Sequence, residues 1–127
     1  MNVKIIILRN FPNNDFYDKL SFIGMLHEEK IWDMEEYWLL EWRIYNLKKN
    51  SSEKLDWEVF RIYSFIMLSL SSHLDKNDSF KIRSLELALI YEFRERIQLV
   101  FEGYFSQIMP RQSIFEKTNP LLAFTST

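Results

Sequence analysis

The fold is decided by residues 33–47, whose sequence is DMEEYWLLEWRIYNL. Asp33 and Glu36 are spaced as a capping box, in which the Asp33 carboxylate accepts the third amide hydrogen of the helix and Glu36 reaches back to the cap. Behind this cap, apolar residues cover most of the circumference of the predicted helix. Such a helix is buried on more than one side or is shared with a partner. The stretch therefore predicts a helical core.

The chain before this stretch predicts one strand and one helix. The β-branched run in residues 3–8, VKIIIL, is typical of a short strand or extended segment. Apolar residues then recur at spacings of four and three within residues 16–26, which places them on one face of a helix. Asn14 and Asp15 can cap this helix. We expect it to end near His27.

Two longer helices are predicted after a short polar linker. The first begins after Asp56 and ends near Leu74, and its C-terminal half carries no charged residue, so we expect it to be central. The second begins after a cap at Asp78 or Ser79 and ends near Gly103, because glycine can take the positive φ that closes a helix. The inward-facing residues of the first are predicted to be Trp57, Phe60, Tyr63, Met67, Leu70 and Leu74.

Four helices with short connections predict an all-α protein, an antiparallel helical bundle with a short N-terminal strand or extended segment. The 127 residues are the length of a single domain, residues 1–127. Its core is expected to cover residues 14–105, and residues 106–127, in which no apolar period emerges, to form an irregular C-terminal tail. Only 2 glycines and 3 prolines are present, too few for the many turns of an all-β protein.

The composition excludes several classes of protein. Apolar residues make up 47% and aromatic residues 17% of the chain, which excludes intrinsic disorder. Cysteine is absent, so the chain has no disulfide, thiolate nucleophile or cysteine-ligated zinc. The net charge of −2 does not suit a nucleic-acid binder. Apolar runs are too short for a membrane span or a secretory signal, so we expect a cytoplasmic protein that binds neither nucleic acid nor membrane.

The residue types that carry chemistry are sparse. The two histidines, His27 and His73, occur in no metal-ligand or catalytic spacing. The two glycines, Gly24 and Gly103, are too far apart to build a phosphate-binding loop. We therefore predict no catalytic residue, no metal site and no cofactor, and a protein that is not an enzyme. Acid–base catalysis by carboxylates in a helical cleft stays open as a rival.

Charge and aromatic residues are concentrated in one part of the chain. Residues 28–41 contain six acids and one base, a local net charge of −5, and three of the four tryptophans lie in residues 32–42. These features fit either a solvated face over a core or a protein interface, where tyrosine and tryptophan supply much of the binding energy and a patch of one sign steers an opposite partner. The residues predicted to bind a partner are Glu28, Glu29, Asp33, Glu35, Glu36, Trp38, Glu41 and Trp42.

A small, cysteine-free, aromatic-rich and weakly acidic helical chain with DMEEYWLLEW at residues 33–42 resembles the immunity proteins of bacterial polymorphic-toxin and contact-dependent growth inhibition systems. The resemblance is one of general character over residues 15–105 and rests on no diagnostic motif. It implies a cytoplasmic antitoxin that binds a cognate toxin domain, expected to be a basic nuclease such as an RNase or tRNase, and blocks it stoichiometrically. The acids would stand in for phosphates, and Trp38 and Trp42 would serve as anchors if exposed.

The alternative is a helical dimerisation or adaptor module with no toxin partner. In that case the nearly all-round apolar helix at residues 34–47 would meet its own copy in a homodimer. Size in solution distinguishes the two, because an inhibitor can be monomeric and a dimerisation module cannot.

Overall fold

The computed structural model describes residues 3–48 and 52–122. In these residues it contains five α-helices and no strand, which confirms the all-α prediction for the described part of the chain. A single turn of 3₁₀-helix, Gln112–Ile114, follows the last helix. The α-helices are α1 (Val3–Arg9), α2 (Phe22–Glu29), α3 (Met34–Tyr45), α4 (Glu53–Leu74) and α5 (Leu87–Ser106).

The predicted N-terminal strand is wrong, because the β-branched run forms helix α1. Ile6 and Ile7 are buried, and α1 packs against α3 and α4. A β-branched residue costs well under about 1 kcal/mol in a helix, whereas a lone strand would leave its backbone hydrogen-bonding groups without a partner strand. Burial of the isoleucines therefore outweighs their strand preference.

Helix α2 begins six residues later than the predicted apolar face. The Ser21 side chain caps it by accepting a hydrogen bond from the Gly24 N–H at 3.0 Å. Asn14 instead shapes the preceding turn, where its Oδ1 accepts the Phe16 N–H at 2.7 Å. Phe16 and Leu20 are consequently exposed rather than buried. The helix ends at Lys30, which adopts the left-handed conformation with φ 57°.

Helix α3 is the structural centre of the chain. It packs against α1, α2 and α5, which accounts for its apolar circumference within a single chain. The capping prediction is half confirmed: the Asp33 carboxylate accepts the Glu36 N–H at 3.2 Å, but the Glu36 carboxylate pairs with Arg9 at 3.3 Å. The helix ends at Tyr45, close to the predicted end.

Helices α4 and α5 are found with shifted starts. Ser52 rather than Asp56 caps α4, and the helix ends at Leu74 as predicted. Helix α5 begins at Leu87, because residues 79–86 form a non-helical loop that buries Ile82 and Leu85.

Its C-terminal end also differs from the prediction. Gly103 lies inside α5 and does not end it. The helix runs to Ser106 and closes at Gln107 with φ 65°.

All five helices contribute to one hydrophobic core. Its centre is a group of aromatic rings in which Tyr37 lies edge-on to Phe93 at 5.0 Å and to Phe22 at 5.4 Å. Trp32 packs against the same group, 4.7 Å from Phe22 between ring centroids. The α2–α3 connection is thus anchored in the core, which fixes the direction of the acidic residues around it.

Candidate protein-binding surface

Five predicted site residues meet at the connection between α2 and α3, which we call the acidic corner: Glu28, Glu29, Asp33, Glu35 and Glu36. The first two end α2, the third caps α3, and the last two lie in the first turn of α3. Only residues 30–33 separate the two helices, so the five carboxylates share one corner of the protein. Every one of them is exposed or half-buried.

The backbone of the acidic corner is braced by the loop that precedes α5. The Arg83 N–H donates to the Lys30 carbonyl oxygen at 2.8 Å, and the Arg83 guanidinium donates to the Glu29 carbonyl oxygen at 2.7 Å. Ser84 Oγ accepts the Trp32 N–H at 2.8 Å and donates to the Trp32 carbonyl oxygen at 3.1 Å. The corner is therefore a preformed surface.

Bases from distant parts of the chain neutralise much of the acidic corner. The guanidinium of Arg9 lies 3.3 Å from the Glu36 carboxylate, and the Lys19 ammonium lies 3.9 Å from that of Glu28. Arg83 lies 3.7 Å from the carboxylate of Glu29. The negative potential is thus weaker than the local sequence count of −5 indicates.

Two carboxyl groups near Arg9 respond differently to their surroundings. Burial raises the pKa of Glu36, although the Arg9 charge opposes the shift. Asp18, which pairs with Arg9 at 3.0 Å, has a lowered pKa because it accepts hydrogen bonds from the Leu20 N–H and the Arg9 guanidinium.

Glu35 is exposed and forms no ion pair within the described residues. Glu35 therefore presents its charge to solvent without a base beside it.

Helix α3 adds an apolar strip to the acidic corner. The spacing of Glu35, Leu39 and Trp42 by four and three residues places them on one helix face, and Leu39 and Trp42 are half-buried. On such a face the acid can attract a positively charged partner, and the leucine and tryptophan side chains can make apolar contact with it. Trp42 thus keeps the partial exposure that an anchor requires.

Trp38 and Glu41 do not belong to this surface, and their prediction as accessible binding residues is corrected. Trp38 is buried on the core side of α3. Glu41 is only 1% exposed and is paired with Arg96, which is 3% exposed. The Arg96 Nε donates to Glu41 Oε1 at 2.7 Å, and a second guanidinium nitrogen donates to Oε2 at 2.8 Å. Glu41 follows Tyr37 by one helical turn, and this position within an apolar face is the signal that predicts its burial.

The Glu41–Arg96 pair holds the C-terminal segment onto α3 and α5. Arg96 donates to the Lys117 carbonyl oxygen at 2.5 Å, and its guanidinium lies over the Phe115 ring at 4.3 Å. The Asn119 side-chain amide donates to Glu41 Oε2 at 2.9 Å. Residues 115–119 of the segment predicted as an irregular tail are therefore held on the core by a buried charge pair, and a single turn of 3₁₀-helix precedes them.

A second surface feature lies between α4 and α5 and is not predicted from the sequence. Trp57 and Phe60, which the helical spacing of apolar residues in α4 predicts to face the core, are exposed instead. Phe60 lines a groove of about 820 Å³, the α4–α5 groove, together with side chains of α5 and of residues 108–110. The sequence does not show which apolar residues of α4 face inward, because this helix has more of them than its buried face can hold.

The remaining chemistry of the described residues is limited. In residues 3–48 and 52–122 no group of three or more histidine and acidic side chains is arranged to hold a metal ion. None of the helices in those ranges is long and apolar enough to cross a membrane. No protein family, curated protein or solved structure matches this chain.

Proposed function

We propose that the protein is a stoichiometric inhibitor that binds a basic partner protein through the acidic corner and the outer face of α3. The partner that its resemblance to immunity proteins implies is a cytoplasmic toxin domain of the nuclease type. The observation that carries the proposal is the preformed acidic corner, where five exposed or half-buried carboxylates, three of them paired with bases, lie on a backbone braced by Arg83 and Ser84.

Nucleases bind phosphates with lysine and arginine, so their active sites attract carboxylates presented at similar spacing. A braced backbone lowers the entropy cost of binding, because the corner does not have to be ordered on contact. Glu35 offers an exposed charge, and Trp42 on the same helix face offers apolar area at its edge. Charge would govern mainly the association rate, and Trp42 mainly the dissociation rate.

The proposal is tested by charge reversal at Glu35, after each neighbouring gene product has been co-expressed with the protein to find the partner. Glu35→Lys should slow association by about three- to tenfold at low salt and weaken its salt dependence. Glu53→Lys is the matched control, because Glu53 is also an acid in a first helical turn and begins α4 beyond the far end of α3. Equal association rates for the two variants would refute the acidic corner as the interface.

The anchor role of Trp42 has its own test. Trp42→Ala should raise the dissociation rate at least tenfold, since an aromatic anchor contributes about 2 kcal/mol or more. Tyr91→Ala removes an exposed aromatic residue from α5 and serves as the control. If both substitutions leave dissociation unchanged, the outer face of α3 does not contact the partner.

The alternative of a dimerisation module rests on the apolar circumference of α3. Contacts with α1, α2 and α5 account for that circumference inside one chain. Light scattering of the isolated protein tests the alternative directly, and a stable dimer would favour it over a monomeric inhibitor.

A further inference from the structure

The α4–α5 groove is a mainly apolar depression of about 820 Å³. Among the side chains that line it are Phe60, Tyr63, Leu99, Phe105, Ile108 and Met109, with Glu102 as the one charged residue. Ile108 is 79% exposed. A contiguous apolar surface of this kind marks a docking or ligand site more often than a scattered set of exposed side chains does.

One wall of the groove is built and held by the chain that follows α5. The positive φ of Gln107 turns the backbone so that residues 108–110 run beside the helix. Gly103 permits the approach, because a Cβ at this position would lie 2.8 Å from Pro110 Cδ and 2.9 Å from Met109 Sδ. The Tyr45 hydroxyl donates to the Pro110 carbonyl oxygen at 2.7 Å. The groove is therefore a formed feature that keeps Ile108 in solvent.

An aromatic row connects the groove to the surface of α4. The rings of Trp57 and Phe60 are stacked, with their centroids 5.9 Å apart. The ring centroid of Tyr63 lies 6.4 Å from that of Phe60 and 5.3 Å from that of the buried Phe101. Trp57, at 56% exposure, is the one exposed tryptophan of the four, all of which are described. Aromatic side chains in this position supply rigid contact area at low entropy cost.

Acidic residues border the groove along α5. Glu92, Glu95, Leu99 and Glu102 follow one another at spacings of three, four and three, so they share one face of the helix. Leu99 lines both the groove and an adjoining hollow of about 450 Å³, which is bordered by Glu92, Glu95 and Glu116.

The charges around this hollow are predominantly negative. Glu92 and Glu116 lie close to each other, and their interaction raises the pKa of Glu92. Arg96 borders the same hollow, but Glu41 already neutralises it. Four exposed bases lie near this edge, namely Arg61, Arg94, Arg111 and Lys117. Arg61 lies over the Trp57 ring and Arg94 over the Tyr91 ring, and none of the four belongs to the three- and four-residue spacing of the α5 stripe, so the charged residues of the stripe itself are all acids.

We propose that the α4–α5 groove binds a cationic amphipathic helix of a partner protein. Its apolar side would lie between Phe60 and Leu99, and its lysine or arginine side chains would lie over Glu95 and Glu102. A second copy of this chain fits less well, because its own acidic stripe would face the same acids. The inference rests on the proposed function for the basic character of the partner, but it concerns a surface separate from the acidic corner.

The test uses the full chain and a synthetic 14-residue peptide of leucine and lysine in helical register. We expect saturable one-to-one binding that shifts the Trp57 fluorescence to the blue, and at least tenfold weaker binding of the same peptide with glutamate in place of lysine. Ile108→Asp, at a largely exposed position, should weaken binding at least tenfold, as should the pair Glu95→Lys and Glu102→Lys. Leu20→Asp, at another largely exposed site outside the groove, should leave it unchanged.

Two outcomes would overturn the inference. The first is equal binding of the glutamate peptide, or binding that none of the groove variants changes. The second is a self-dimer of the wild-type protein that Ile108→Asp dissociates, which would make a second copy the occupant. Glu35→Lys keeps this test separate from the proposed function: it should slow association with the partner and leave peptide binding intact.

Discussion

Replacing Arg96 with methionine should destabilise the protein strongly, because the guanidinium is buried and all three of its nitrogens donate hydrogen bonds. It donates to Glu41 at 2.7 Å, to Gln112 at 2.9 Å and to the carbonyl oxygen of Lys117 at 2.5 Å. Removing one partner of a buried pair costs about 3–5 kcal/mol, since the other charge stays behind without compensation. That is a large part of the roughly 5–15 kcal/mol by which domains are stable. For a chain of this size the melting temperature should fall by about 10–20 °C.

Urea unfolding followed by circular dichroism measures this loss. The midpoint should fall while the slope with denaturant stays constant. Arg94→Met is the matched control, because Arg94 is exposed on the same helix and lies over the Tyr91 ring at 5.2 Å. Its loss should cost about 1 kcal/mol or less. Trypsin should also cut after Lys117 faster in Arg96→Met, because the C-terminal segment loses its attachment.

The double variant Arg96→Met with Glu41→Gln tests the cause. If an uncompensated carboxylate is the source of the loss, removing its charge should recover part of the stability. The reasoning is refuted if Arg96→Met costs no more than Arg94→Met, or if Glu41→Gln adds a second full loss to the first.

Three further outcomes follow from individual contacts. Burial lowers the pKa of His73, whose Nδ1 accepts the Ile82 N–H at 2.9 Å. The neutral imidazole therefore stabilises the fold at any pH above the unfolded-state pKa of about 6.5. This contribution is lost as the pH falls from there through the lower folded-state pKa. Urea midpoints between pH 7.5 and 5 should show this decline, and His73→Asn, which keeps an acceptor but cannot titrate, should flatten it. Gly24→Ala should cost at least about 1–3 kcal/mol, since its Cβ would lie 2.6 Å from the carbonyl carbon of Lys19, and an unchanged urea midpoint would contradict this. Ser52→Ala should cost about 1 kcal/mol through loss of the α4 cap, measured in the same way against Ser52→Thr, which retains the hydroxyl.

Helical periodicity predicts the fold well where a long amphipathic pattern dominates. The end of α4 at Leu74 and the cap of α3 at Asp33 follow from local residue types alone. Helix α1 does not, because the conformation of an isoleucine-rich run depends on what it packs against. The start of α5 fails for a similar reason: residues 79–86 fold back onto the core, and their apolar side chains imitate the first turn of a helix.

The sequence predicts where the acids of the candidate site lie, but not how far bases neutralise them. Five acids do meet at the α2–α3 connection, since a short link between two helices forces them together. Their partners Arg9, Lys19 and Arg83 come from other segments, and pairing over such separations leaves no local pattern. The base that neutralises the buried Glu41 is likewise distant, because Arg96 lies 55 residues further along the chain.

Co-expression tests whether this protein neutralises a basic partner by binding it. The tagged protein would be purified with each neighbouring gene product in turn, and the mass of every complex measured by light scattering. We expect a one-to-one complex with a basic domain that arrests growth when it is expressed alone and does not arrest it in the complex. A protein that purifies alone from every pairing, or as a dimer of itself, would contradict the claim.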